Sequence, residues 1–153
     1  MDAYFLDSSA LVKAYINEQG TGWTKSLVDP ASKNRIYVSL LSGVEVISAI
    51  TRRAHRGDIS ASDATAAEGL FRKEFFRNLS IIDISRPLVD YAMDLATKFG
   101  LRGYDAAQLA VALTVRQERA IAGLLSPVFV SSDTALNIAA KQEGFVADDP
   151  NLH

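Results

Sequence analysis

Four short apolar runs are spaced along this chain, and helical patterning fills the intervals between them. Tyr4-Phe5-Leu6, Ile36-Tyr37-Val38, Ile81-Ile82-Asp83-Ile84 and Val128-Phe129-Val130 are short and nearly continuous, as strands buried on both faces must be. Phe145-Val146-Ala147 is a candidate fifth. Strands that alternate with helices form a parallel sheet covered on both faces. The expected fold is therefore α/β, three α/β/α layers around a central parallel sheet of four to five strands. Such sheets bind ligands beyond the carboxyl ends of their strands. Asp7 ends the first run and Asp133 lies just past the fourth, which places both at one edge of the sheet.

The intervals carry their own start and stop signals. Ser8-Ser9 opens a helical stretch with Leu11, Val12, Tyr15 and Ile16 at helical spacing and Gly20 as its stop. A short helix follows over Thr21 to Val28, and longer ones over Leu40 to Arg56 and Ser60 to Asn78. Pro87 suits the first position of a helix that runs to Phe99, with Gly100 as its cap. Tyr104 to Arg119 and Asp133 to Glu143 complete the set. With 153 residues and neither repeat nor linker, the chain is expected to form one domain over residues 1–147, with a short tail at 148–153.

Composition narrows the chemistry. Hydrophobic residues make up 48% and charged residues 22%, the balance of a folded chain rather than a disordered one. The absence of cysteine removes disulfides, thiolate metal sites and thiol nucleophiles. No apolar run approaches the roughly 20 residues of a membrane helix, and Met1-Asp2-Ala3-Tyr4 lacks the basic start of a secretory signal. A cytoplasmic protein without a membrane partner is the expectation. The net charge of −2 provides no global field for nucleic acid. Clustered acids that bind divalent ions would offset that objection locally.

Four acids draw attention, and each has an ordinary explanation. Asp7 and Asp133 precede helical stretches and suit N-caps, while Asp105 with Gln108 resembles a capping box. Glu45 is harder to explain away. It lies between Val44 and Val46 with Leu41 and Ala49 one turn off, and an ionised carboxylate on so apolar a face needs a partner. Together the four suit one pocket of hard oxygen ligands for Mg²⁺, and one or two such ions can activate water against a phosphodiester. His55, in a basic segment, and His153, at the C-terminus, are expected at the surface.

The same residues carry a family resemblance. Tyr4-Phe5-Leu6-Asp7-Ser8-Ser9-Ala10-Leu11-Val12-Lys13 resembles the opening of PIN-domain proteins, above all the VapC-type toxins of bacterial toxin–antitoxin pairs. Ser42-Gly43-Val44-Glu45-Val46 is similar to the second acidic motif, Tyr104-Asp105-Ala106-Ala107-Gln108-Leu109-Ala110 to the third, and Phe129-Val130-Ser131-Ser132-Asp133 to the fourth. The resemblance implies an endoribonuclease dependent on Mg²⁺ or Mn²⁺. Asp7, Glu45 and Asp105 would be its core metal-site and catalytic residues, with Asp133 the fourth acid and Ser8, Ser9 and Ser131 in support. It also implies an RNA substrate, a small antitoxin with a basic residue in its tail, and a homodimer. The stretch Arg119 to Pro127 is longer than the tight connection usual in that family.

Substrate contacts are less legible. Lys13, one and a half helical turns after the first acid, is a candidate for a phosphate contact at the pocket rim, and Arg52, Arg53, Arg56 and Arg102 are further candidates for RNA contact. A solvated helix end favoured by the macrodipole accounts for at least two of the three clustered arginines. A haloacid-dehalogenase-like phosphatase needs a second Asp where Ser9 stands, and a receiver domain fits Asp83 poorly. Further alternatives are a PIN nuclease of RNA processing and an inactive PIN scaffold that only binds.

Overall fold

A computed structural model of the chain describes residues 2–153. Strands β1 (Ala3–Leu6), β2 (Arg35–Ser39), β3 (Ser80–Ile82), β4 (Val128–Val130) and β5 (Ala147–Asp148) form one sheet in the order β3-β2-β1-β4-β5. Every pairing in it is parallel. The helices are α1 (Ser8–Leu11), α2 (Thr21–Val28), α3 (Ser42–His55), α4 (Ala61–Asn78), α5 (Arg86–Phe99), α6 (Gly103–Ile121) and α7 (Thr134–Gln142). Among the described residues no helix is long and apolar enough to cross a membrane.

Strand alternation builds the three layers. Phe5, Tyr37 and Phe129 join one core with Leu88, Leu95, Leu109, Leu136 and Phe145, from α5, α6, α7 and the segment after α7. Their neighbours Leu6, Ile36, Val38 and Val130 join the other, with Leu11, Val46, Ile50, Phe71 and Phe75 from α1, α3 and α4. Because both faces are buried, the runs contain no polar alternation. Each large side chain removed from water contributes about 1.5–3 kcal/mol. The sheet is consequently fixed in register, because a slip of one residue would exchange the two cores.

Four details differ from the expectations, the first being that the third strand covers Ser80–Ile82 and leaves Asp83 and Ile84 outside it. The helix expected from Ser8 to Gly20 stops at Leu11; Val12–Ala14 is a 3-10 turn and the chain then loops. Local side chains take over the backbone ladder there. Lys13 Nζ donates to the Gln19 carbonyl at 2.9 Å, and Thr21 Oγ1 donates to the Ile16 carbonyl at 2.8 Å while accepting from the Glu18 amide. Such bonds compete with helix continuation. The fifth strand starts at Ala147 because Phe145 serves the core instead, its ring 5.7 Å from that of Phe129 and its amide bonded to the Ala140 carbonyl at the end of α7. In the stretch after Arg119, α6 runs on to Ile121. Arg119 then holds the connection, donating to the Leu125 carbonyl at 2.7 Å and the Tyr37 hydroxyl at 3.1 Å.

The last residues lie against the domain. Asp148 pairs with Val130, and Pro150–Leu152 forms a 3-10 turn. Gln19 Nε2 donates to the Asn151 carbonyl, and the ring of His153 stacks on Trp23 at 4.1 Å. Gly20 makes this approach possible: its φ is +83°, and a Cβ there would stand 2.3 Å from the Pro150 carbonyl oxygen. Gly20→Ala should therefore destabilise the fold by more than the ~1–2 kcal/mol of a left-handed alanine. Urea unfolding checks this, and a midpoint equal to wild type would refute it.

Candidate active site

The sheet reverses its strand order between β1 and β4, and ligands in open α/β folds bind beyond the strands at such a reversal. Leu6 pairs with Val130, so the residues leaving the two strands emerge side by side, and the Asp7 amide donates to the Val130 carbonyl at 3.1 Å. Asp7 is 3% exposed. Its Oδ1 accepts from Ser9 Oγ at 2.7 Å and from the Ala10 amide at 2.9 Å, and its Oδ2 accepts from Ser131 Oγ at 2.6 Å. The N-cap explanation is thus correct as far as it goes, since the Ala10 bond caps α1. The two serines go further and clamp the carboxylate from both strand ends.

A chain of bonds ties β4 to the same point. Ser131 Oγ accepts from the Asp133 amide at 3.0 Å, Ser9 Oγ accepts from the Ser132 amide at 2.9 Å, and Asn137 Nδ2 donates to the Ser131 carbonyl at 2.7 Å. Asp133 caps α7 by accepting from the Leu136 amide at 2.8 Å. One of its two oxygens serves the cap.

Glu45 sits in the first turn of α3, half-buried, where the partial positive charge of the helix N-terminus favours a carboxylate. Its partners are neutral: Ser8 Oγ at 2.9 Å and Gln108 Nε2 at 2.7 Å. Gln108 is 1% exposed and also reaches Ser42 Oγ at 3.0 Å. The capping-box reading of Asp105 with Gln108 is corrected here. Helix α6 begins at Gly103, so Asp105 lies inside its first turn rather than at the cap, and Gln108 turns to Glu45 instead of back along its own helix. Sequence reasoning missed Gln108 and Ser42 as site residues. A glutamine among Leu109, Ala110 and Val111 on a buried helix was the available signal, because a buried amide needs partners.

Asp105 stands apart. It is half-buried, and among the described residues it receives no hydrogen bond. The acids act on one another electrostatically. Burial, the largest cause, lifts Asp7 from 3.8 to about 7 against its three hydrogen bonds, and the charge of Asp105 adds to the rise. Glu45 is raised by burial and by Asp105, against the hydrogen bonds of Gln108 and Ser8. Asp105 is raised by burial and by Asp133, and Arg102 opposes the rise. The fold therefore brings all four acids into one field, with Ser8, Ser9 and Ser131 among them. Among the described residues no three side chains of the metal-binding types are grouped tightly enough to enclose an ion by themselves.

The cations divide. Lys13, Arg52 and Arg53 line a cleft of about 490 Å³ together with Ser8, Ser9 and Glu45. Lys13, expected at the rim, is instead buried in the wall, because its Nζ is drawn to Glu18. Arg56 pairs with Asp58 at 3.1 Å on the surface, outside the cleft lining. Arg102 occupies the N-cap position of α6 and meets the site only through its effect on Asp105. Beside the cleft, Leu40, Val44, Ile47, Phe75 and Phe76 line an apolar groove of about 520 Å³ between α3 and α4, and Val44 belongs to both.

A family model for the PIN domain matches residues 4–142. The chain belongs to the PIN-domain family. Ribonuclease VapC45 of Mycobacterium tuberculosis (strain CDC 1551 / Oshkosh) is 30% identical to it over 115 residues, 75% of this chain and 78% of the relative. The fold matches that of Mycobacterium tuberculosis VapC20, described as a sarcin-ricin loop cleaving toxin, with a TM-score of 0.63 at 18% identity over 94% of this chain and 96% of the other. It also matches VapBC2 from Rickettsia felis, solved with a DNA fragment from its promoter, with a TM-score of 0.61 at 16% identity over 96% and 98%. The five-stranded parallel sheet between helices is the three-layer PIN-like fold.

The electrostatics set a pH dependence. Between 3.8 and about 7 the folded chain holds the Asp7 proton more tightly than the unfolded chain does. The resulting stability is full below the lower value and is lost as pH rises through the upper one. Without divalent cations, the melting temperature should fall between about pH 4 and pH 7, and Asp7→Asn should remove most of that fall. Circular dichroism melts across this range provide the check; parallel pH profiles for the two proteins would show the assignment to Asp7 to be wrong.

Proposed function

We propose that the chain is a divalent-metal-dependent endoribonuclease and the toxin of a toxin–antitoxin pair. Asp105 carries the reading. Among the described residues this half-buried carboxylate has no donor, and it lies in the field of three other acids. Only the field of Arg102 opposes them, so a bound cation would stabilise it. The donor set consists of carboxylate oxygens, which fits Mg²⁺ or Mn²⁺. Mg²⁺ keeps several waters and uses few carboxylates, so the acids need not crowd around it. Asp7, Glu45 and Asp105 would hold the ion, with Asp133 reaching it through water. When bound, such an ion supplies an activated water and stabilises charge on the leaving oxygen.

The chain's own groups supply orientation. Ser9, Ser131 and the Ala10 amide hold Asp7 in one rotamer, and Ser8 and Gln108 hold Glu45. Partners of this kind fix ligand direction before the substrate arrives. Hydrolysis forms one P–O bond from water and breaks one to a ribose oxygen, which leaves protonated. Choice of RNA as the substrate is supported by the ribonuclease relative, and an antitoxin by the fold shared with VapBC2.

The antitoxin is a small protein whose apolar segment lies in the groove between α3 and α4. Because groove and cleft share Val44, a tail leaving the groove enters the cleft, where an Arg or Lys replaces the metal's charge among Asp7, Glu45 and Asp105. The pair works in the cytoplasm. A homodimer is part of the same reading, with exposed apolar residues such as Ile121 and Leu125 available to a second copy.

Two experiments test this reading. Asp7→Asn, Glu45→Gln and Asp105→Asn should each lower kcat on RNA by about 10³-fold or more, and a double variant should be little worse than a single one, since groups acting as a unit lose activity non-additively. Asp133→Asn should be milder, and Mn²⁺ should raise the melting temperature of the wild type. Cleavage that survives EDTA, or full activity of Glu45→Gln, would sink the mechanism. In the second experiment, co-expression with the adjacent gene should yield a complex that Phe76→Asp weakens without changing cleavage. A chain harmless to its host when expressed alone, and purified without a companion, would leave the nuclease and remove the toxin.

A further inference from the structure

The wall of the cleft that carries Glu45 also carries a cluster of opposite charge. Lys13 is 5% exposed, and its Nζ donates to Glu18 Oε1 at 3.2 Å and to the Gln19 carbonyl at 2.9 Å. Arg53 donates from Nη2 to both oxygens of Glu18, at 3.3 and 3.1 Å, and from Nη1 to the Ala49 carbonyl at 3.2 Å. Two cations thus share one carboxylate, which leaves a positive charge in excess. Arg52 lines the same cleft, is exposed, and has no acidic partner among the described residues.

Stability is a poor explanation for this cluster. Removing charges from water costs several kcal/mol per ion, and apolar side chains of similar volume often serve the fold as well. The donor inventory is also incomplete. An ammonium has three N–H bonds and a guanidinium five, so Lys13 and Arg53 keep donors that Glu18, Gln19 and Ala49 do not use. Glu18 holds both cations in the cleft wall, where Arg53, the more exposed of the two, keeps two N–H donors and Lys13 keeps one.

We propose that Lys13 and Arg53, tied together by Glu18, form with Arg52 a subsite for a phosphodiester of single-stranded RNA, next in the strand to the one cut at the acids. The acidic centre alone repels a polyanion, and this subsite supplies the local attraction that a chain of net charge −2 lacks overall. The proposal rests on the ribonuclease reading. Its hydrogen bonds to the phosphate form equally in ground and transition states, so the subsite governs binding rather than the chemical step.

The test uses a short fluorescent single-stranded oligoribonucleotide with the full chain carrying Asp7→Asn, which prevents turnover. Binding is measured by anisotropy across a salt series. Adding Arg52→Gln or Arg53→Gln should lower the slope of log K against log[salt] by about 0.7 for each phosphate no longer neutralised. In the otherwise wild-type chain the same substitutions should raise KM about tenfold, the size of one charged hydrogen bond, and leave kcat unchanged. Lys13→Met should act the same way, provided its melt shows a folded protein; the two arginine variants carry the test if it does not. Unchanged slopes and KM values in folded Arg52 and Arg53 variants would overturn the subsite alone. A wild-type chain that neither binds nor cleaves RNA would instead overturn the ribonuclease reading, and the subsite with it.

Discussion

The clamp on the Asp7 carboxylate is the interaction on which the rest of the site depends. Three donors converge on it, from Ser9, the Ala10 amide and Ser131, and they come from both sides of the β1–β4 reversal. A nearly buried carboxylate is unfavourable unless its oxygens are satisfied. Satisfying them requires β1 and β4 to be adjacent and in the register that pairs Leu6 with Val130. Two well-packed cores impose that register, since Phe5 and Phe129 belong to one face of the sheet while Leu6 and Val130 belong to the other. The hydrophobic pattern therefore positions the charged group, and the charged group tolerates little change in the pattern.

The site is arranged against its own stability in the absence of a cation. Burial and mutual repulsion raise Asp7, Glu45 and Asp105 together. Hydrogen bonds oppose the shift at Asp7 and Glu45, whereas at Asp105 only the field of Arg102 does. A cation would relieve all three at once, and metal binding to such a centre is correspondingly folding free energy.

Charge is distributed along the cleft. Of the four acids Glu45 lines it, while Lys13, Arg52 and Arg53 lie in its wall. The apolar groove between α3 and α4 meets it at Val44, so adjoining surfaces carry apolar, acidic and basic parts. Helix α3 contributes to all three. Its first turn supplies Glu45, its exposed face Val44, and its last turns Arg52 and Arg53.

Much of this is legible in the residues themselves. Four of the five strands follow from apolar runs of three or four residues, and the position of Asp7 follows from its place after the first of them. Phe145 misled the reading of the fifth strand, because an apolar residue beside a strand looks the same whether it joins the ladder or the core. The chain by itself determined the layers and the strand-end acids, since periodicity of two and of 3.6 is local information. Tertiary structure decided the rest. Only packing shows that Gln108 turns to Glu45, that Ser131 and Ser9 share one carboxylate across more than a hundred residues, and that Lys13 is withdrawn from the rim by Glu18. Hydrogen bonds and burial between distant segments depend on where other elements lie, and no local pattern encodes that distance.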